Sequence, residues 1–152
     1  MGPAEASAEQ LAAAAVVGRS VAEAGAILVC GGLGGVMEAA CRGAAEAGGM
    51  TVGLLPGADR RAANRWVRVA IPTGMGELRN GLVVRAADAV VAVGGSWGTL
   101  SEIALAVRTG KPVVGVRTWQ LGREGVVAED DPSRAVARAL ALLGRGEIGT
   151  EP

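Results

Sequence analysis

Two charged residues stand out by position, Arg79 and Glu102. Glu102 follows Gly94-Gly95-Ser96-Trp97-Gly98-Thr99, a glycine cluster that ends the strand-like run 88–93. Glycine permits positive φ and lets a ligand come close to the backbone. A helix starting near Gly98-Thr99 presents N–H groups that have no partner within it, and its dipole favours an anion there. Such a turn suits a phosphate ester, with the Thr99 hydroxyl able to cap the helix or donate to a phosphate oxygen. Glu102, near the helix start, is expected to have a lowered pKa and stay ionised. In that state it orients water or stabilises positive charge. Arg79 lies just after Pro72-Thr73-Gly74, on the helix before the central strand. Plain alternatives exist for each: a tight turn, a first-turn Glu that only answers the dipole, and an exposed helical Arg. A second cluster, Gly31-Gly32-Leu33-Gly34-Gly35, falls at the same end of a neighbouring strand and favours a ligand site. Neither cluster is a P-loop and neither fits GxGxxG.

What the chain lacks narrows the chemistry further. There is no His among its 152 residues, which excludes a Ser-His-Asp triad, a Cys-His pair and a His-ligated metal. With no Tyr or Phe, base stacking falls to Trp66, Trp97 or Trp119. Proton transfer near neutral pH is left to carboxylates, thiols or water. Cys30 and Cys41 fit no metal or redox spacing and read as small buried core residues. Fifteen cations balance fifteen anions, which argues against a nucleic-acid partner. No apolar run is long enough to span a bilayer and no signal-peptide pattern opens the chain. The expectation is therefore a cytoplasmic protein with no membrane partner. The one lysine, Lys111, sits in a Gly-Lys-Pro turn and reads as solvated. A pyridoxal decarboxylase would need a Schiff-base lysine.

Alternating strands and helices must position these residues. The pattern predicts an α/β, Rossmann-like, doubly wound and mostly parallel sheet with helices on both faces. Ser7 and Gln10 have capping-box spacing, which opens a helix from about Ala8 to Ala24. AILVC (26–30) reads as a fully buried strand, followed by a helix over about 35–47 and a strand at 51–55. Residues 57–66, with Arg60, Arg61, Asn64 and Arg65, read as a solvated loop. VRVAI (67–71), DAVVAV (88–93) and PVVGV (112–116) are strands, and 126–129 is a small edge strand. Helices are predicted over about 75–87 and 98–109, with a last one opened by Asp131-Pro132. Residues 1–152 read as one domain, with 144–152 a frayed tail. Gly2-Pro3 looks like the loop after a first strand, and two readings stay open for the usual first strand: a misplaced start or truncation removes it, or the sheet does without it. Helices such as ELRNGLVVRAA and LSEIALAVRT carry more apolar surface than one sheet face requires, which predicts a homo-oligomer.

GGLGGVMEAACRGAAEAGG (31–49) resembles the glycine-rich motif of the Lonely Guy (LOG) phosphoribohydrolases and their "lysine decarboxylase-like" relatives. GGSWGTLSE (94–102) resembles their PGGxGTxxE signature. Arg79 stands where that family has the arginine of an Arg-Lys pair, and its spacing from Glu102 also fits. The resemblance runs from Gly2 to about Val116. It implies a Rossmann-like fold, a homodimer or homotetramer, and a small phosphorylated ligand such as a nucleoside 5′-monophosphate. In such an enzyme the N-glycosidic bond is cut to free base and ribose 5-phosphate, with no cofactor required. Arg79 and Glu102 would be the catalytic pair, stabilising an oxocarbenium-like state. Gly31, Gly32, Gly34, Gly35, Met37, Asn80, Gly94, Gly95, Ser96, Trp97, Gly98 and Thr99 would hold the ligand, with no metal site. Trp97 reads equally as a lid or an interface anchor. The sequence departs from the family at Val93, which replaces the signature proline, and at Asn80, which replaces the lysine. IPTGMGELRN (71–80) is closer to a branch that includes molybdenum-cofactor carrier proteins, which bind a phosphorylated pterin and need not hydrolyse anything. Two functions follow: a LOG-type phosphoribohydrolase, or a non-catalytic carrier of molybdenum cofactor or a related pterin.

Overall fold

The computed structural model describes residues 1–121 and 125–144. Ser7 opens helix α1 (Ala8–Glu23) through a complete capping box. Its Oγ accepts from the Gln10 N–H at 3.2 Å, and the Gln10 side chain accepts from the Ser7 N–H at 3.0 Å. There follow β1 (Leu28–Cys30), α2 (Val36–Glu46), β2 (Thr51–Leu55) and β3 (Val69–Pro72). A 3-10 turn over Gly76–Arg79 leads into α3 (Asn80–Ala86), then β4 (Val90–Val93) and α4 (Trp97–Arg108). The chain continues with β5 (Val113–Val116), β6 (Val126–Ala128) and α5 (Pro132–Leu143). Asp131 caps α5 by accepting from the Ser133 N–H at 2.9 Å, and Pro132 takes the first helical position.

The strands form two parallel three-stranded sheets, ordered β1-β2-β3 and β4-β5-β6. Helices cover both faces, which is why the inner strands read as unbroken apolar runs. Val93, Val114 and Val116 pack with Ala13, Val17, Ala40 and Ala135 from α1, α2 and α5. On the opposite face, Val90, Ala92 and Val113 pack with Val84, Ile103 and Ala106 from α3 and α4. This is the expected Rossmann-like, doubly wound α/β architecture. Helices α1 and α2 touch backbone to backbone: a Cβ on Gly18 would strike the Ala40 carbonyl, and one on Gly43 the Ala15 carbonyl.

Several boundaries differ from the sequence reading for physical reasons. β1 is only Leu28–Cys30 and is partly rather than fully buried, with Ile27 61% exposed. Among the described residues it pairs with β2 alone, so its other edge has no strand partner there. β3 starts at Val69 rather than 67, because Thr51 Oγ1 and O both accept from the Arg68 N–H and end the preceding loop there. The expected helix over 75–87 begins as a tight 3-10 turn. Residues 1–7 form no strand of their own. Instead Met1 pairs with the edge of β4, its α-amino group donating to Val91 O at 2.6 Å and its carbonyl accepting from the Val93 N–H at 2.8 Å. Lys111 is not simply solvated; its Nζ donates to Ala87 O at 2.5 Å. The tail expected to fray falls on residues 145–152, outside the described residues. Among the described residues, no helix is long and apolar enough to cross a membrane.

Candidate functional site

The parallel strands aim their carboxyl ends at one rim of a cavity of about 750 Å³. Arg79, Asn80 and Glu102 line it together with Gly31 and Met37 from the first glycine cluster. Ser96, Gly98 and Thr99 line it from the second. Residues from sequence positions more than sixty apart thus converge, as the winding of an open α/β sheet requires.

Arg79 comes from the 3-10 turn and is buried, 7% exposed. Its guanidinium lies over Gly31, where any side chain would collide with it, and beside the thioether of Met37. Its Nε has no hydrogen-bond partner. Burial lowers its pKa, against the opposing pull of Glu102 and Cys30. A buried guanidinium with an unsatisfied N–H is costly to leave unmatched, and an anion is its natural partner.

Glu102 behaves differently from expectation. The helix begins at Trp97, so Glu102 lies in the second turn, buried and out of reach of the free N–H groups. Burial pushes its pKa up; the Met1 ammonium and Arg79 pull it back only in part. The N-terminal location that would have kept it ionised is replaced by desolvation. Glu102 and Arg79 share the cavity without an ion pair: the pairs among the described residues are Arg19–Glu46, Arg61–Asp59, Arg117–Glu9 and Arg134–Glu129.

Ser96, not Thr99, caps α4. Its Oγ accepts from the Thr99 N–H at 3.3 Å and lies 3.1 Å from Thr99 Oγ1. Thr99 is buried and lines the cavity. Gly98 is open, with the Asn80 amide nitrogen 3.8 Å from where a Cβ would stand. The remaining predicted glycines support the site without lining the cavity. Gly94 (φ +64°) faces the Gln10 side chain, and Gly35 (φ +64°) takes the left-handed geometry that lets Pro3 and Ala4 pass close. Gly95 makes room for the Trp119 indole, whose Nε1 donates to Ser96 O at 3.3 Å. Gly32 packs on Leu55 and Gly53, and Gly34 stands near the Glu38 carboxylate. Trp97 is 78% exposed and leans on Trp119, ring centroids 5.4 Å apart, outside the cavity wall.

Two contributors were missed in the sequence. Asn64 belongs to the loop read as solvated, yet its side-chain nitrogen donates to Gly32 O at 3.2 Å and Leu33 O at 2.9 Å, fixing the first glycine turn. Cys30 and Cys41 are buried as expected, but Cys30 also lines the cavity. The two sulfurs are 3.4 Å apart, unbridged, and the Gly32 N–H donates to Cys30 Sγ at 3.3 Å. The Cys41 hydrogen bond, outweighing burial, lowers Cys30 to about 7, while Cys41 is raised. No signal short of the tertiary contact could have exposed either role.

Fold and cavity define a Rossmann-like α/β protein whose glycine turns and buried arginine meet at the carboxyl ends of parallel strands. The chain belongs to the SLOG cluster4 family, whose model matches residues 1–141. It is 42% identical over 120 residues to an uncharacterized protein of Archaeoglobus fulgidus, covering 79% of this chain and 78% of that one. Its fold matches the molybdenum cofactor binding protein of Rippkaea orientalis with a TM-score of 0.88, at 34% identity and 94% coverage of each chain. The Moco carrier protein of Chlamydomonas reinhardtii matches with a TM-score of 0.87, at 37% identity and 96% coverage of each. The LOG-like resemblance, and the carrier branch within it, therefore hold.

Proposed function

We propose that this chain binds a phosphorylated pterin of the molybdenum-cofactor class and carries it without cleaving it, as a homo-oligomer. The observation that carries this is the buried Arg79, whose Nε has no hydrogen-bond partner, on the lining of a cavity large enough for a small ligand. Arg79 and the amide-rich turn Ser96–Thr99 suit a phosphate. Glu102 offers an acceptor to the N–H groups of a pterin ring, and apolar cavity walls accept its faces. The similarity to carrier and binding proteins of molybdenum cofactor supports the same ligand class.

Hydrolysis of a nucleoside 5′-monophosphate is less well supported. Its transition state needs an ionised carboxylate beside a developing cation. Burial biases Glu102 toward the neutral form, and Asn80 supplies no charge where the hydrolases have lysine. Titration with a phosphorylated pterin, followed by Trp97–Trp119 fluorescence and by calorimetry, tests the proposal. Saturable binding is expected, weakened about tenfold or more in Arg79→Ala. Incubation with AMP is expected to release no adenine. Adenine release that disappears in Glu102→Gln would reinstate the hydrolase, and failure to bind any phosphorylated ligand would remove both functions.

A further inference from the structure

The cavity wall holds a nucleophile that the proposed function leaves unused. Cys30 ends β1 and lines the cavity, whereas Cys41, in the middle of α2, lies behind it and is fully buried. They are the two cysteines of the chain. Their sulfurs stand 3.4 Å apart and unbridged. A disulfide needs a separation of about 2 Å, so a closure of about 1.4 Å, shared between two side chains, would join them. Two neighbours set this pair apart from ordinary core packing. The Gly32 N–H donates to Cys30 Sγ at 3.3 Å, and the Arg79 guanidinium lies over Gly31, the next residue. Both favour negative charge on the Cys30 sulfur.

We propose that Cys30 and Cys41 form a reversible thiol–disulfide pair, in which Cys30 meets hydrogen peroxide in the cavity and Cys41 resolves the product. The division of roles follows from position, since only Cys30 is on the cavity lining. Charge agrees with it. Cys30 is lowered to about 7 and Cys41 is raised, which makes the Cys41 S–H the donor between them. The charged groups acting on Cys30 are the Met1 ammonium and Arg79, and Glu38 acts on Cys41. The Cys30 sulfur attacks one peroxide oxygen as the O–O bond breaks; the departing hydroxide takes up a proton to become water, and Cys30 becomes a sulfenic acid. The Cys41 sulfur then attacks the Cys30 sulfur, the S–O bond breaks, and the Cys41 proton leaves with the hydroxide as a second water. The two thiols lose two electrons, which reduce the peroxide, and a small dithiol restores them by exchange. The bridge encloses the first glycine cluster and Met37 in one covalent ring. It also removes the sulfur charge that acts on Arg79, leaving Glu102 as the acidic neighbour of that guanidinium. Oxidation therefore alters the wall of the ligand cavity itself.

The test treats the whole chain with a small excess of hydrogen peroxide at neutral pH, folded and in guanidinium, and follows it by intact mass and non-reducing peptide mapping. The folded chain is expected to lose the mass of two hydrogens without covalent dimerisation, to yield a linked Cys30–Cys41 peptide, and to regain both thiols in dithiothreitol. Positioning of the pair is expected to make the bridge form at least about tenfold faster in the folded chain than in the unfolded one. Cys41→Ala is expected to stop at a Cys30 sulfenic acid that a cyclic dione traps, and Cys30→Ala to leave Cys41 unreacted while folded. Thiols that survive peroxide in the folded chain but bridge in guanidinium would show a sealed core pair and overturn the proposal. Covalent dimers joined through Cys30, or a sulfinic acid at Cys30 of the unaltered chain, would overturn it equally. Phosphorylated-pterin binding enters none of these readouts, so this test and that of the proposed function fail separately.

Discussion

Glu102 shows how far burial redirects a single side chain. A carboxylate at a helix start is ordinarily held ionised by the dipole, but this one lies a turn deeper, and desolvation outweighs Met1 and Arg79. The folded chain therefore keeps a proton over a pH range where the unfolded chain has lost it. By linkage, stability falls as pH rises from the unfolded carboxylate value through the raised folded value, and this group contributes no difference below both. Glu102→Gln removes that loss. The variant is expected to be more stable than its parent at neutral pH and to converge with it below a pH of about 4, as read from urea unfolding across pH. Convergence at neutral pH instead would show Glu102 to be ionised and well solvated. Cys30 moves the opposite way, and its alkylation by a small maleimide is expected to follow an inflection near pH 7 that rises in Cys41→Ala. An unchanged inflection would assign the lowering to the Gly32 N–H first, with Met1 and Arg79 adding to it. Arg79 and Glu102 could be singled out from sequence, Glu102 by the glycine cluster before it and Arg79 by Pro72-Thr73-Gly74 and the family resemblance. Cys30 was not, since a cysteine ending an apolar run has the signature of core, and its partner lies eleven residues away.

At the scale of elements, pattern located almost every helix and strand, and the errors share one cause. Caps such as Ser7 with Gln10 and Asp131 with Pro132 are local, so α1 and α5 could be placed within a residue or so. β1 could not, because a strand's extent depends on its neighbours and one of its neighbours is a gap. Asn64 was equally illegible, since its value lies in reaching Gly32 and Leu33 from a distant loop. The α1–α2 contact was unread for the same reason: Gly18 is mid-helix, where glycine is normally a weakness. It is there because the Ala40 carbonyl occupies the space of a side chain. Gly18→Ala, which improves helix propensity, is therefore expected to destabilise by about 2 kcal/mol and lower the Tm by roughly 5 °C. A stabilised Gly18→Ala would mean that the two helices separate at no cost.

At the scale of the whole molecule, the polar rim and the apolar exterior require different explanations. The cavity organises the charged groups, yet Leu78 is 78% exposed, with Met75 and Leu82 also exposed three residues before and four after it. Such spacing sets the three on one face of the segment that carries Arg79 on its buried side. On the edge strand β3, Val69 and Ile71 are exposed on a shared side, an arrangement that lone edges usually avoid. Surfaces of this kind are covered in homo-oligomers, and the Arg79 turn would then be braced from outside by a second copy. Light scattering at micromolar concentration is expected to give a mass at least twice the 15.1 kDa of one chain. Leu78→Glu, being on the surface, is expected to change the stability of one chain by no more than about 0.5 kcal/mol while lowering the measured mass. Because Leu78 neighbours Arg79, dissociation is also expected to weaken phosphorylated-pterin binding. A monomer of unaltered sequence would remove the oligomer, and a dissociated Leu78→Glu variant with full affinity would separate assembly from the site.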